Sequence, residues 1–254
     1  MTKALVQDYY GKTLQGTDDL KTSACCSTVR PPDAVIEAMK HVHPDVLGRF
    51  YGCGVVVPDT DLRGWTVVDL GSGAGQDAYV LAQLVGENGC VIGVDMTQEQ
   101  LAVAQSHEAW HAERFGYAAP NTRFVEGFVD ALEGLDLPHG AVDLVVSNCV
   151  INLVADKSRV FDGVAGLLKP GGRFLFSDVF VDRAVPKHLA EDPVILGECL
   201  GGAMTLDQFA ALRAGAFAAP IWREVRPLTV DDPDIAAKLK GHAFESRTVE
   251  LMRL

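Results

Sequence analysis

Six cysteines stand at positions 25, 26, 53, 90, 149 and 199 of the chain. A cysteine thiolate is a nucleophile and a soft ligand, so its chemistry counts most where the side chain lies at a turn or a strand end. Three of the six read that way. Cys53 follows Tyr51-Gly52, Cys149 follows Ser147-Asn148, and Cys199 follows Gly197-Glu198. Each taken alone also fits a small buried hydrophobe. No Cys-x-x-Cys pair occurs, which argues against an ordinary structural zinc site. In a chain of cytosolic character the six read as thiols, ligands or redox partners, not as a disulfide framework.

The second group is the run Asp69-Leu70-Gly71-Ser72-Gly73-Ala74-Gly75. Glycines let a backbone approach a ligand closely, and a helix that starts there offers unpaired N–H groups. The spacing Gly71, Gly73, Gly75 departs from the G-x-G-x-x-G pattern of dinucleotide sites. Asp69 ends one strand-like segment and Asp95 ends the next, where an acid takes a ribose diol. Strand, acid, glycines, helix, strand and acid in that order predict a site for a nucleoside-like cofactor. A third pattern, His107-Glu108-Ala109-Trp110-His111, matches the H-E-x-x-H zinc protease signature. It falls in a helix that covers the sheet, and no third ligand follows, so a protease is rejected. His41 and His43 read as solvated or capping groups, and Asp231 to Asp234 as a solvated turn.

These residues need a frame. Short β-branched segments at 66–70, 91–94, 123–125, 142–147 and 173–177 read as strands. Helical segments alternate with them: 76–85, a long one capped by Thr97 and running to about Phe115, and 160–168. Lys169-Pro170-Gly171-Gly172 reads as a turn. The alternation predicts an α/β fold with a doubly wound, mostly parallel sheet over residues 65–254. Residues 1–64 read as an N-terminal extension that carries Cys25 and Cys53.

The 254 residues are enough to bury a full core, and 48% of them are apolar. The net charge of -12 disfavours nucleic acid as a partner, since phosphates call for a basic face. No apolar run reaches the roughly 20 residues of a membrane helix, and no signal peptide opens the sequence, so no membrane partner is expected and a cytoplasmic location is.

The block Leu168-Lys169-Pro170-Gly171-Gly172-Arg173-Phe174-Leu175-Phe176 resembles the late helix-turn-strand of class I methyltransferases. That resemblance implies S-adenosylmethionine as the cofactor and a seven-stranded Rossmann-like methyltransferase sheet. A narrower likeness rests on Tyr9-Tyr10-Gly11, Arg49-Phe50-Tyr51-Gly52-Cys53-Gly54, Gly93-Val94-Asp95-Met96-Thr97, Ser147-Asn148-Cys149-Val150-Ile151-Asn152-Leu153 and Gly197-Glu198-Cys199-Leu200-Gly201-Gly202-Ala203. With the glycine run, these resemble the arsenite methyltransferases from about residue 7 to about residue 215.

The likeness implies that Cys53, Cys149 and Cys199 hold trivalent arsenic as three thiolates, that Cys25 pairs with Cys53 during turnover, and that a reductant such as thioredoxin or glutathione takes part. It implies a small-molecule arsenical substrate. It also implies that Tyr51, Asp69, Gly71, Ser72, Gly73, Gly75, Asp95, Met96, Phe128, Val129 and Asn148 line the cofactor, with Asp130 toward the adenine amine. The sequence departs from the family at Gln76, commonly Arg, and at Thr205, where an aromatic is expected. Cys26 adds a thiol beside Cys25. Family members usually continue through a further C-terminal domain, which a chain ending at Leu254 is expected to lack. Two other readings stay open at this point: a methyltransferase for another small thiol or natural product, and a non-catalytic arsenical-binding protein.

Overall fold

The computed structural model describes Lys3, Val6, Gln7 and residues 30–254. Seven strands form one sheet: β1 (Thr66–Leu70), β2 (Cys90–Asp95), β3 (Thr122–Glu126), β4 (Val142–Asn148), β5 (Leu168–Val181), β6 (Ile221–Leu228) and β7 (Phe244–Met252). Their spatial order is β3-β2-β1-β4-β5-β7-β6. The first five are parallel, with Val68 beside Ile92 and Val145 in the strands that flank it. β7 runs antiparallel between β5 and β6. Strands covered on both faces read as continuous apolar runs, which is why the parallel five were legible. The resemblance implied seven strands, but the positions of the other two were not read from the sequence. β6 is an edge strand with Ile221, Trp222 and Val225 exposed, and β7 buries the polar Ser246, Thr248 and Glu250. Neither gives a clean apolar pattern. The segment 169–172, expected as a turn, lies within the span of β5, where Gly171 still takes a positive φ of 76°.

Helices cover both faces: α1 (Asp33–Met39), α2 (Pro44–Leu47), α3 (Gln76–Val85), α4 (Gln98–Ser106), α5 (Glu108–Phe115), α6 (Lys157–Leu167), α7 (Lys187–Ala190), α8 (Pro193–Gly197), α9 (Leu206–Arg213) and α10 (Pro233–Lys238). The single helix expected from Thr97 to Phe115 is two. His107 (φ −108°, ψ 4°) leaves helical geometry and ends α4 where α5 begins. Thr97 stands before α4, yet its hydroxyl makes no capping bond.

Residues 33–47 pack into the core of the sheet. Val35, Ala38, Val42 and Val46 join Val67, Leu81, Leu144 and Leu175 in one buried cluster. The opposite face is closed by Phe161, Phe174, Phe176, Phe209 and Phe217. A third cluster gathers Cys53, Cys149 and Cys199 with Val179, Ile195, Leu200 and Phe244. Among the described residues no helix is long and apolar enough to cross a membrane.

Candidate active site

β1 and β4 are neighbours whose following segments leave the sheet in opposite directions, so their carboxyl ends frame a crevice. A cavity of about 360 Å³ lies there. The glycine turn forms one wall. Gly71 has φ +72°, and a Cβ on it would come within 2.2 Å of Val150. Asp95 braces the turn: its carboxylate accepts the Gly73 N–H at 2.9 Å and the Thr97 N–H at 2.8 Å. Tyr51, Met96, Phe128, Val129 and Asp130 complete the lining.

Besides Asp130, three carboxyl groups line this cavity: Asp69, Asp77 and Asp95. Burial raises the pKa of Asp69, and the neighbouring Asp77 and Asp95 raise it further. Burial pushes Asp77 up to about 6. Burial also raises Asp95, against the N–H groups of Thr97 and Gly73 that favour its charge. One oxygen of Asp69 and the Ser72 hydroxyl are buried without a hydrogen-bond partner. Crowded, desolvated acids with unused acceptors suit a ligand that brings positive charge and donors.

At the floor of the same cavity the chain turns sharply through Cys149 (φ 58°), which lines it. Cys199 has φ 61°, and its thiol donates to the Cys149 carbonyl at 3.1 Å. Among the described residues these two are the only ones other than glycine with positive φ. Such conformations cost energy and gather at functional sites.

Asn148 holds the third cysteine in place. Its carbonyl oxygen accepts the Cys53 N–H at 2.8 Å and the Gly54 N–H at 3.2 Å. Its amide donates to Gly54 O and to Asp77. Gly52 has no room for a side chain, since a Cβ there would lie 2.5 Å from the Asn148 amide. The Cys53 carbonyl is gripped from the far strands by Arg226 and Ser246. Behind the sulfurs lies Asp178, fully buried, with one carboxylate oxygen and the Cys149 and Cys199 sulfurs all within 4.8 Å of one another. Burial pushes Asp178 up to about 7, although it accepts the Val179 and Asn152 N–H groups.

The methyltransferase-domain family model matches residues 61–232. The arsenite methyltransferase of Aquipseudomonas alcaligenes is 50% identical over 98% of this chain and 71% of its own length. The chain belongs to the arsenite methyltransferase family. Its human relative is 40% identical over 98% of this chain and 66% of that protein. A crystal structure of an arsenic(III) S-adenosylmethionine methyltransferase from Chlamydomonas reinhardtii superposes with a TM-score of 0.82 at 42% identity, covering 87% of this chain and 74% of that one. S-adenosylmethionine is the cofactor of this family, and the acids Asp69, Asp77 and Asp95 of the cavity, with one unused Asp69 oxygen, suit its sulfonium and ammonium charges.

For this arsenite methyltransferase family member, the structure gathers Cys53, Cys149 and Cys199 as the sequence motifs implied. It departs from expectation in one respect. Cys53 and Cys149 are joined as a disulfide, not held as separate thiolates, because the Asn148 clamp brings their Cα atoms to 5.8 Å. Cys25, the expected partner of Cys53, and Cys26 lie outside the described residues, as does Tyr9-Tyr10-Gly11. Asn148 lines the cavity, and its amide is shared between the Cys53 loop and the Asp77 carboxylate. Asp130 accepts Lys3 at 2.7 Å, and the same ammonium stands 4.1 Å from the Phe128 ring centroid. Asp77 and Asp178 were missed. Asp77 sits in the first turn of α3, one residue past Gln76, and Asp178 follows the expected end of β5 by one. An acid next to each motif was the available signal.

Proposed function

We propose that this chain transfers a methyl group from S-adenosylmethionine to trivalent arsenic held by Cys53, Cys149 and Cys199. One observation carries the reading: Cys149 belongs both to the cysteine cluster and to the wall of the cofactor cavity. A metalloid on these sulfurs therefore faces whatever occupies the cavity. Trivalent arsenic is soft and prefers thiolate ligands. Bound in the cavity, the cofactor supplies an electrophilic methyl on its sulfonium, which the arsenic lone pair takes as the C–S bond breaks and an As–C bond forms.

The chain's own part is placement. Asn148 fixes the Cys53 loop, and the left-handed turns at Cys149 and Cys199 point two sulfurs at one place. Each thiol proton leaves with an arsenite hydroxyl as water, so loading needs no general base. The Cys53–Cys149 bond must first open, which takes two electrons and two protons. A thiol reductant such as thioredoxin or glutathione supplies them and becomes the disulfide itself. We assign the reaction to the cytoplasm, where such reductants are kept.

The test is product analysis with methyl-labelled cofactor, arsenite and reductant. Wild type yields labelled methylarsenicals, and Cys149→Ser yields none above the enzyme-free blank. Methylation that survives Cys149→Ser, or label found only on the reductant's sulfur, would overturn the reading.

A further inference from the structure

At the C-terminal end of α4, His43, Asp45 and His107 converge from two separate segments, each with one donor atom within 4.8 Å of the others. We propose that these three residues form a binding site for a borderline divalent transition metal, of the Zn²⁺ or Co²⁺ class, distinct from the cysteine site. An Asp45 carboxylate oxygen lies 3.7 Å from His43 Nδ1 and 3.5 Å from His107 Nε2. Donors on a tetrahedral ion with bonds of about 2.0–2.1 Å stand roughly 3.3 Å apart, so closure needs only side-chain adjustment. Two imidazoles and one carboxylate are a donor set that suits such ions.

The site is braced from beneath. His111 is buried and stacks on Tyr79. Its Nε2 accepts the His43 backbone N–H at 3.1 Å, and its Nδ1 donates to the His107 carbonyl at 2.8 Å. One buried ring thereby pins the backbones of both outer histidines, whose own rings stack at 3.8 Å. Supporting contacts of this kind orient metal ligands. His107 itself stands at the break between α4 and α5. The outer side opens to a surface depression bordered by Pro44, Gly48, Val103 and Ser106, which leaves room for water on the ion. His43 Nδ1 now accepts the Asp45 N–H at 3.2 Å, and an ion would take the place of that single bond. Such an ion would staple the segment that runs on into Arg49 and Tyr51 of the cavity wall to the helix that follows Asp95.

Titration of the full chain with Co²⁺ tests this, because nitrogen and oxygen ligands give weak visible bands while thiolates add an intense near-ultraviolet charge-transfer band. Wild type and Cys199→Ser both take up one Co²⁺ with the nitrogen-oxygen signature. Asp45→Asn and His107→Ala weaken that uptake by at least ~10-fold. Asp45 is exposed, so its substitution reports on binding without disturbing the fold. Wild type that shows only the thiolate band, or no uptake up to millimolar Co²⁺, would overturn the proposal. So would His107→Ala and Asp45→Asn titrating like wild type.

Discussion

At the scale of single residues, two of the three cysteines proposed to hold arsenic also carry backbone strain. Cys149 and Cys199 are held in the left-handed region, which costs a side-chain-bearing residue roughly 1–2 kcal/mol and glycine almost nothing. Cys199→Gly is therefore expected to be more stable than Cys199→Ala by about 1 kcal/mol in urea unfolding, while both lose arsenite binding. Equal stabilities would show that the turn relaxes without cost. Asn148→Ala leaves the Cys53 and Gly54 N–H groups without their acceptor and is expected to cost roughly 1–3 kcal/mol. Arsenite affinity falls with it; unchanged affinity would mean that the Cys53 loop holds itself. The cysteines were legible because long neighbouring motifs marked them. Their left-handed backbone was not, since local sequence signals that conformation through glycine or asparagine. The Asn148 clamp spans 95 residues to Cys53, and no local pattern announces a contact of that range.

At the scale of elements, the ends of β1 and β2 and the first turn of α3 bring three acids to one cavity. Their raised pKa values set a pH dependence whose sign is fixed. A cationic cofactor prefers the ionised acids, and a protonated Asp77 must release its proton before such a ligand gains from its charge. Affinity for S-adenosylmethionine is expected to rise as pH increases through about 6, the pKa of Asp77, and then level off. Calorimetry across pH 5 to 8 measures this. Asp77→Asn flattens the profile, and a profile that falls with rising pH would contradict the electrostatic reading of the site. The parallel strands and the acids ending them could be read from the chain because both faces of those strands are apolar. β6 and β7 could not, because one lies at an edge and the other turns polar residues inward: Ser246 bonds the Cys53 carbonyl, Thr248 bonds Ser177, and Glu250 pairs with Arg173 and Arg223.

At the scale of the whole molecule, α1 and α2 share a core with the sheet. The sequence suggested an extension beside a domain, whereas residues 33–47 are part of the packed body that carries the site. Val46 is fully buried in that shared core, so Val46→Ala is expected to lower the stability of the whole by about 2 kcal/mol in one transition. A separate early transition would show that the helices unfold alone. The same packing delivers Cys53 to the sheet, so cofactor cavity and cysteine cluster form one centre. The most direct test of that centre is a single turnover. Reduced protein is loaded with one equivalent of arsenite, mixed with methyl-labelled S-adenosylmethionine without further reductant, and quenched. One labelled methyl on arsenic per loaded chain, and none from protein left with Cys53 and Cys149 bonded, is the predicted result. Label on a cysteine of the protein, or equal transfer from the oxidised form, would contradict it.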